Sequence, residues 1–223
     1  MRFHRLAIAC AVVLMAGDAS AQEWLDYTSR QDRFTVNFPS QPDIREFTYT
    51  SWRDAKLPAR VYTVQRGAER YSVTVVDYTV AERVHAERAK TCEVGAHSLC
   101  LGNDPVSQGV GGWKYDVHGA LDHATAEFLM RDAKVTYFAW ATIDRITGRQ
   151  IHLTNADRSR TFAQIHMLEN RLYIIEATVP AQAPEPGLFQ QSPRFLDEAG
   201  RPVRYTDNYA NMYPPPPRAG QNP

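Results

Sequence analysis

The chain has 223 residues, 43% of them apolar and 11% aromatic, with Lys+Arg 25 against Asp+Glu 25 and a formal net charge of zero. Nucleic-acid and anionic-membrane binders carry a basic excess or a clustered basic face, whereas here the two signs are interspersed, so neither partner is expected. With Gly 12 and Pro 14, collagen-like and wholly disordered classes also fall away, and a chain able to bury a core remains.

Arg2 and Arg5 form a short cationic start, Leu6 to Gly17 is almost unbroken apolar, and Ala19-Ser20-Ala21 supplies the small residues that signal peptidase needs. Residues 1–21 are therefore expected to be a signal peptide cut between Ala21 and Gln22. The apolar run is too short for the ~30 Å hydrocarbon core, and no membrane span is expected after cleavage. A periplasmic or secreted location follows. In an oxidising compartment Cys92 and Cys100 are expected to form a disulfide, whose short loop would stabilise the fold by roughly 2.5 kcal/mol. Zinc held by these cysteines with His85 and His97 is the competing arrangement, but the ligand spacing is wider than structural zinc sites use.

Arg33 to Pro39 alternates apolar and polar residues, with Phe34, Val36 and Phe38 on one face, and predicts a half-buried strand. Ala59 to Gln65 and Arg70 to Tyr78, joined across Gly67-Ala68, predict a hairpin. From Val80 to Cys92 the period becomes helical. Gly102 to Gly112 carries the breakers of a loop. Beyond it, strands are expected at Trp113 to Leu121, Thr125 to Arg131, Lys134 to Ile143 and Gln150 to Asn155, with Thr147-Gly148 as the last turn. Thr161 to Leu168 and Leu172 to Val179 predict a further hairpin across Glu169-Asn170-Arg171. Pro186 to Gln191 suits a short helix that Pro193 would end, Asp197 to Gly200 is turn chemistry, and Pro202 to Tyr205 suits an edge strand.

Strands joined by short turns imply an α+β fold, an antiparallel sheet covered by one or two short helices. A single domain over 22–205 and a disordered Pro-rich tail over 206–223, containing Tyr213-Pro214-Pro215-Pro216-Pro217, complete the expected organisation.

The order of elements resembles the PsbP-like fold. Several segments also look like a group of uncharacterised periplasmic proteins of alphaproteobacteria: Asp32 to Pro39, Leu57 to Tyr78, Arg131 to Tyr137, Leu153 to Phe162 and Asn170 to Gln191. The resemblance implies the fold and the periplasm, and it implies no activity.

The chain has no G-x-G-x-x-G, no phosphate-binding P-loop, no G-x-S-x-G, no S-x-x-K set and no H-E-x-x-H, so no cofactor is expected and a binding or accessory module is favoured over an enzyme. Its partner would be an envelope protein or a small ligand. Two alternatives stay open. One is a divalent-metal protein using His118, Asp122 and His123, with Asp116 nearby, although a polar turn after Gly119 explains the same cluster. The other is a small hydrolase with a non-local site, for which Glu127 and Glu176, both placed within strands, are the carboxylates to consider. His166 alternates on a strand and is expected to be packed or at the surface. The loop with Asn155, Asp157, Arg158 and Arg160 packs two arginines among turn formers and is the first place to expect recognition of an anion.

Overall fold

The computed structural model describes residues 24–91 and 112–220. The expected signal peptide and the Cys92–Cys100 pairing lie outside these residues. Ten strands form two antiparallel sheets. A small sheet has the order β1 (Leu25–Ser29), β2 (Phe34–Phe38), β10 (Arg194–Phe195). The large one runs β3 (Asp43–Thr50), β4 (Lys56–Arg66), β5 (Glu69–Asp77), β9 (Arg171–Val179), β8 (Arg160–Leu168), β7 (Ile146–Asn155), β6 (Ala133–Ile143). A 3-10 turn at Tyr78–Val80 leads into α1 (Ala81–Ala89). α2 spans Gly112–Leu129 and α3 spans Gly187–Gln191. The expected α+β class is the observed one.

Alternation along the strands builds two cores. Tyr62, Val64, Tyr71, Val73, Val75, Tyr173 and Ile175 face the small sheet, where the predicted stripe of Phe34, Val36 and Phe38 meets them with Phe189 of α3. Leu57, Ala59, Val76, Ile151, Ala163, Ile165 and Leu172 face the opposite way, against Ala81 of α1 and Val117, Ala120, Ala124 and Phe128 of α2. The large sheet is thus the middle of three layers.

Four expectations are corrected. The strands placed at Trp113 to Leu121 and Thr125 to Arg131 are one helix, α2. Its buried Val117, Ala120, Ala124 and Phe128 recur at three- and four-residue steps, and Gly119 lies inside the helix rather than opening a turn. The β6–β7 turn is not Thr147-Gly148 but Asp144-Arg145, both left-handed with φ of 48° and 72°, the geometry of a two-residue hairpin. Gly148 instead serves close approach within β7, where a Cβ would stand 2.3 Å from the Ile165 carbonyl and 2.4 Å from His166 Nδ1. Pro202 to Tyr205 forms no strand, only isolated bridges from Pro202 to Leu196 and from Tyr205 to Arg218. Strands β1, β3 and β10, which the sequence does not predict, complete the sheets.

The fourth correction concerns the tail. Residues 206–220 lie fixed against the domain instead of forming a disordered extension. The Thr147 amide donates to the Tyr209 carbonyl (2.9 Å), the Tyr209 amide to the Arg145 carbonyl (2.8 Å), and the Asn211 side chain bonds Asn170 twice (3.0 and 2.9 Å). Tyr205 and Tyr209 are buried with their rings 4.9 Å apart. Arg218 closes the segment on Asp197 (2.9 Å), whose carboxyl is held down at about 2 by the Arg201 amide and then by the guanidinium groups of Arg201 and Arg218.

His166 is fully buried against Phe195, and its Nδ1 donates to the Ile146 carbonyl at 3.2 Å. Burial pulls its pKa from 6.5 down to about 4. The unfolded chain therefore binds a proton near pH 6.5 that the folded chain resists until about pH 4. Stability is unaffected above pH 6.5 and falls between those limits by about 3 kcal/mol. Urea unfolding of the wild type and His166→Leu at pH 7 and pH 4.5 should show a steeper acid loss in the wild type; parallel losses would refute the buried neutral imidazole.

Candidate functional site

The residues flagged for metal binding sit on α2 and do not converge. His118 and Asp122, four residues apart, share one face of the helix. His123 lies on another face, 3.7 Å from Glu127 and edge-on to Tyr49 at 6.2 Å between ring centroids. Asp116 turns inward: Ser51 Oγ donates to its Oδ2 at 2.6 Å and His85 Nε2 reaches the same oxygen at 2.7 Å. No group of three His, Cys, Asp or Glu side chains positioned to hold a metal occurs among the described residues.

The Ser51–Asp116–His85 cluster combines the residue types of a hydrolase triad in the wrong order. The carboxylate is the shared acceptor, so Ser51 faces no base, and all three side chains are buried. Its role is to tie the β3–β4 turn, α1 and α2 together. Sequence separations of 65 and 31 residues hide such a cluster from any motif search. Glu127 is on α2, not in a strand as expected, and accepts from Tyr49 (3.2 Å). Glu176, in β9, is held by Arg131 (2.7 and 3.3 Å). The two carboxylates thus serve separate structural pairs.

The expected recognition loop satisfies itself. Asn155 Nδ2 donates to Ser159 and Thr161. Asp157 accepts from the hydroxyl and amide of Ser159, which hold its carboxyl below the ordinary value. Arg160 donates to the Ala183 carbonyl and lies 5.4 Å over Phe162, so of the two arginines only Arg158, at φ 68°, is exposed.

What the fold does assemble is a cleft of about 330 Å³ between α2, β7, β8 and the C-terminal segment. Val117, Leu121 and Met167 form its apolar floor, while His118, Asp122, Arg149 and Tyr213 stand around it. Arg149 is the central group. Its guanidinium lies 4.5 Å from the Trp140 ring centre, donates to the Gly148 carbonyl (3.3 Å) and meets Asp122 at 3.3 Å. The Arg149 side chain is 17% exposed and that of Asp122 is 74% exposed, so the cation is positioned by packing and its counter-ion is held mainly by water. Such a pair contributes at most ~1 kcal/mol and yields to a competing anion. Tyr213 packs edge-on to His118 at 6.3 Å, closing the far side. The sequence reading singled out His118 and Asp122 but missed Arg149, Trp140 and Tyr213, because the tail that completes the cleft was expected to be free.

A larger depression of about 580 Å³ crosses β3, β4 and β5. Its charged groups serve the fold: Asp32 accepts from the Tyr62 hydroxyl (2.6 Å), and Arg60 lies between Asp32 (3.5 Å) and Glu46 (3.6 Å). No protein-family model matches this chain, and no curated protein is significantly similar to it.

Proposed function

We propose that this chain is an exported, non-enzymatic binding module of the periplasm that takes a small organic carboxylate in the α2–β7 cleft. The observation that carries this reading is Arg149, preorganised on Trp140 and neutralised, among the described residues, only by an exposed, displaceable Asp122 above an apolar floor. A guanidinium offers paired N–H donors that match a carboxylate, and Val117, Leu121 and Met167 would accept the ligand's apolar body. The cleft is at the small end of ligand sites, which suits a monocarboxylate rather than a polymer. The resemblance to periplasmic proteins and the absence of catalytic motifs support a binder. The one Ser/His/Asp cluster described has no free nucleophile–base pair, which weakens the hydrolase alternative.

A melting-temperature panel of aromatic and branched-chain monocarboxylates tests this. At least one class is expected to raise Tm by several degrees at saturating concentration. Arg149→Met should weaken its binding by at least tenfold, on the order of 1.4 kcal/mol, while leaving the unliganded Tm within a few degrees. A flat panel, or turnover of an ester or peptide substrate, would refute the proposal.

A further inference from the structure

Arg149 and Asp122 reach the cleft from different elements, β7 and α2, and their charged ends stand 3.3 Å apart. Together they sum to zero charge. Much of the remaining polar lining is already engaged. The Thr147 hydroxyl donates to the Tyr209 carbonyl (3.0 Å), and Asn211 is bonded to Asn170 through both its side-chain carbonyl and its side-chain amide. Among the described residues, a ligand therefore meets one guanidinium, one carboxylate and the His118 ring over the apolar surface of Val117, Leu121 and Met167.

We propose that the ligand is an apolar α-amino acid in its zwitterionic form, with its carboxylate on Arg149, its ammonium on Asp122 and its side chain on Val117, Leu121 and Met167. This rests on the carboxylate reading of the same cleft and narrows it. Bonds of ~1.5 Å at an angle of ~111° hold the nitrogen and the carboxyl carbon of an α-amino acid about 2.5 Å apart. That spacing is comparable to the separation of Asp122 and Arg149, so the two dipoles can lie head to tail, each charge gaining an opposite neighbour. Asp122, at 74% exposure, can turn from the guanidinium to the ammonium without unpacking anything. Arg149, fixed over Trp140 at 4.5 Å, keeps its paired donors for the ligand carboxylate.

A carboxylate that lacks the ammonium is a poorer guest. It competes with Asp122 for a single guanidinium and leaves the cleft with an unpaired negative charge, a repulsive element that separates the two classes of ligand. An amine without a carboxylate meets the converse penalty at Arg149. The volume of about 330 Å³ suits one such molecule.

Isothermal titration calorimetry of the purified protein near pH 7 decides the matter. The probes are L-leucine and L-phenylalanine, their deamino acids isocaproate and hydrocinnamate, and their decarboxylated amines isopentylamine and phenethylamine. At least one amino acid is expected to bind at least tenfold more tightly than both of its analogues. Asp122→Asn should weaken that amino acid at least tenfold and tighten the matching deamino acid, because Arg149 loses its competitor. A purely structural role of Asp122 would not move the two ligands in opposite directions. A deamino acid that binds as tightly as its amino acid, and is lost in Arg149→Met, would overturn the zwitterion and leave the carboxylate reading standing, whereas a blank for every probe would sink both. An amino acid held equally by wild type and Asp122→Asn, or matched in affinity by its amine, would also overturn the inference.

Discussion

Asp116→Ala is expected to lower the unfolding free energy by about 3–5 kcal/mol, read as a shift of the urea midpoint at constant slope. Asp116 is completely buried and accepts from both Ser51 and His85, so its removal leaves two buried donors without a partner. It also disconnects α1 from α2, the two helices that cover one face of the large sheet. Ser51→Ala should cost only about 1–2 kcal/mol, because it removes a neutral hydroxyl, which donates to Asp116 and accepts from the Ala55 amide, and leaves the His85 contact intact. The double variant His85→Leu, Asp116→Leu should recover part of the loss by replacing the polar pair with apolar volume. An Asp116→Ala protein within 1 kcal/mol of wild type, on the order of an ordinary surface substitution, would mean that the cluster does not hold the helices.

Tyr209→Ala is expected to cost about 3–5 kcal/mol and to lower Tm by roughly 10 °C. Tyr209 is buried beside Tyr205 in the core shared by Ile143, Ile146 and Val203, and its backbone bonds Arg145 and Thr147. Removing residues 206–220 should lower stability further and also abolish carboxylate binding, since Asn211 and Tyr213 line the cleft. Differential scanning calorimetry of both variants checks the packing. An unchanged Tm would restore the free tail that the Pro-rich composition suggests.

The middle of the fold was legible because its code is local. Phe34, Val36 and Phe38 alternate, and hairpin turns at Gly67-Ala68 and Glu169-Asn170 punctuate runs of Val, Ile and Tyr. α2 was misread because Trp113, Tyr115, Val117 and Thr125 favour strands individually, while its four-residue packing stripe uses small Ala120 and Ala124, which carry little hydrophobic signal. The tail was misread because its order comes from two tyrosines and distant hydrogen-bond partners, none of which shows in composition. The cleft suffered for the same reason: His118 and Asp122 are close in sequence, but Arg149 and Tyr213 join them only through tertiary packing. For His166, alternation along β8 with Phe162 left a packed and a surface position open, and burial decides for the packed one.

The small sheet also sets the order in which the chain can assemble. β2 pairs not only with its neighbour β1 but with β10, joining Thr35 to Arg194 across 194 − 35 = 159 residues. The β3–β4–β5 and β6–β7–β8–β9 meanders can form from nearby segments, whereas this closure is the most non-local contact in the sheets and carries the largest loop entropy. It is therefore a late step. Until residues 194–220 arrive, Phe34, Phe38 and the cleft wall lack their final partners, so the large sheet can be complete while the small sheet and the cleft are still unfinished.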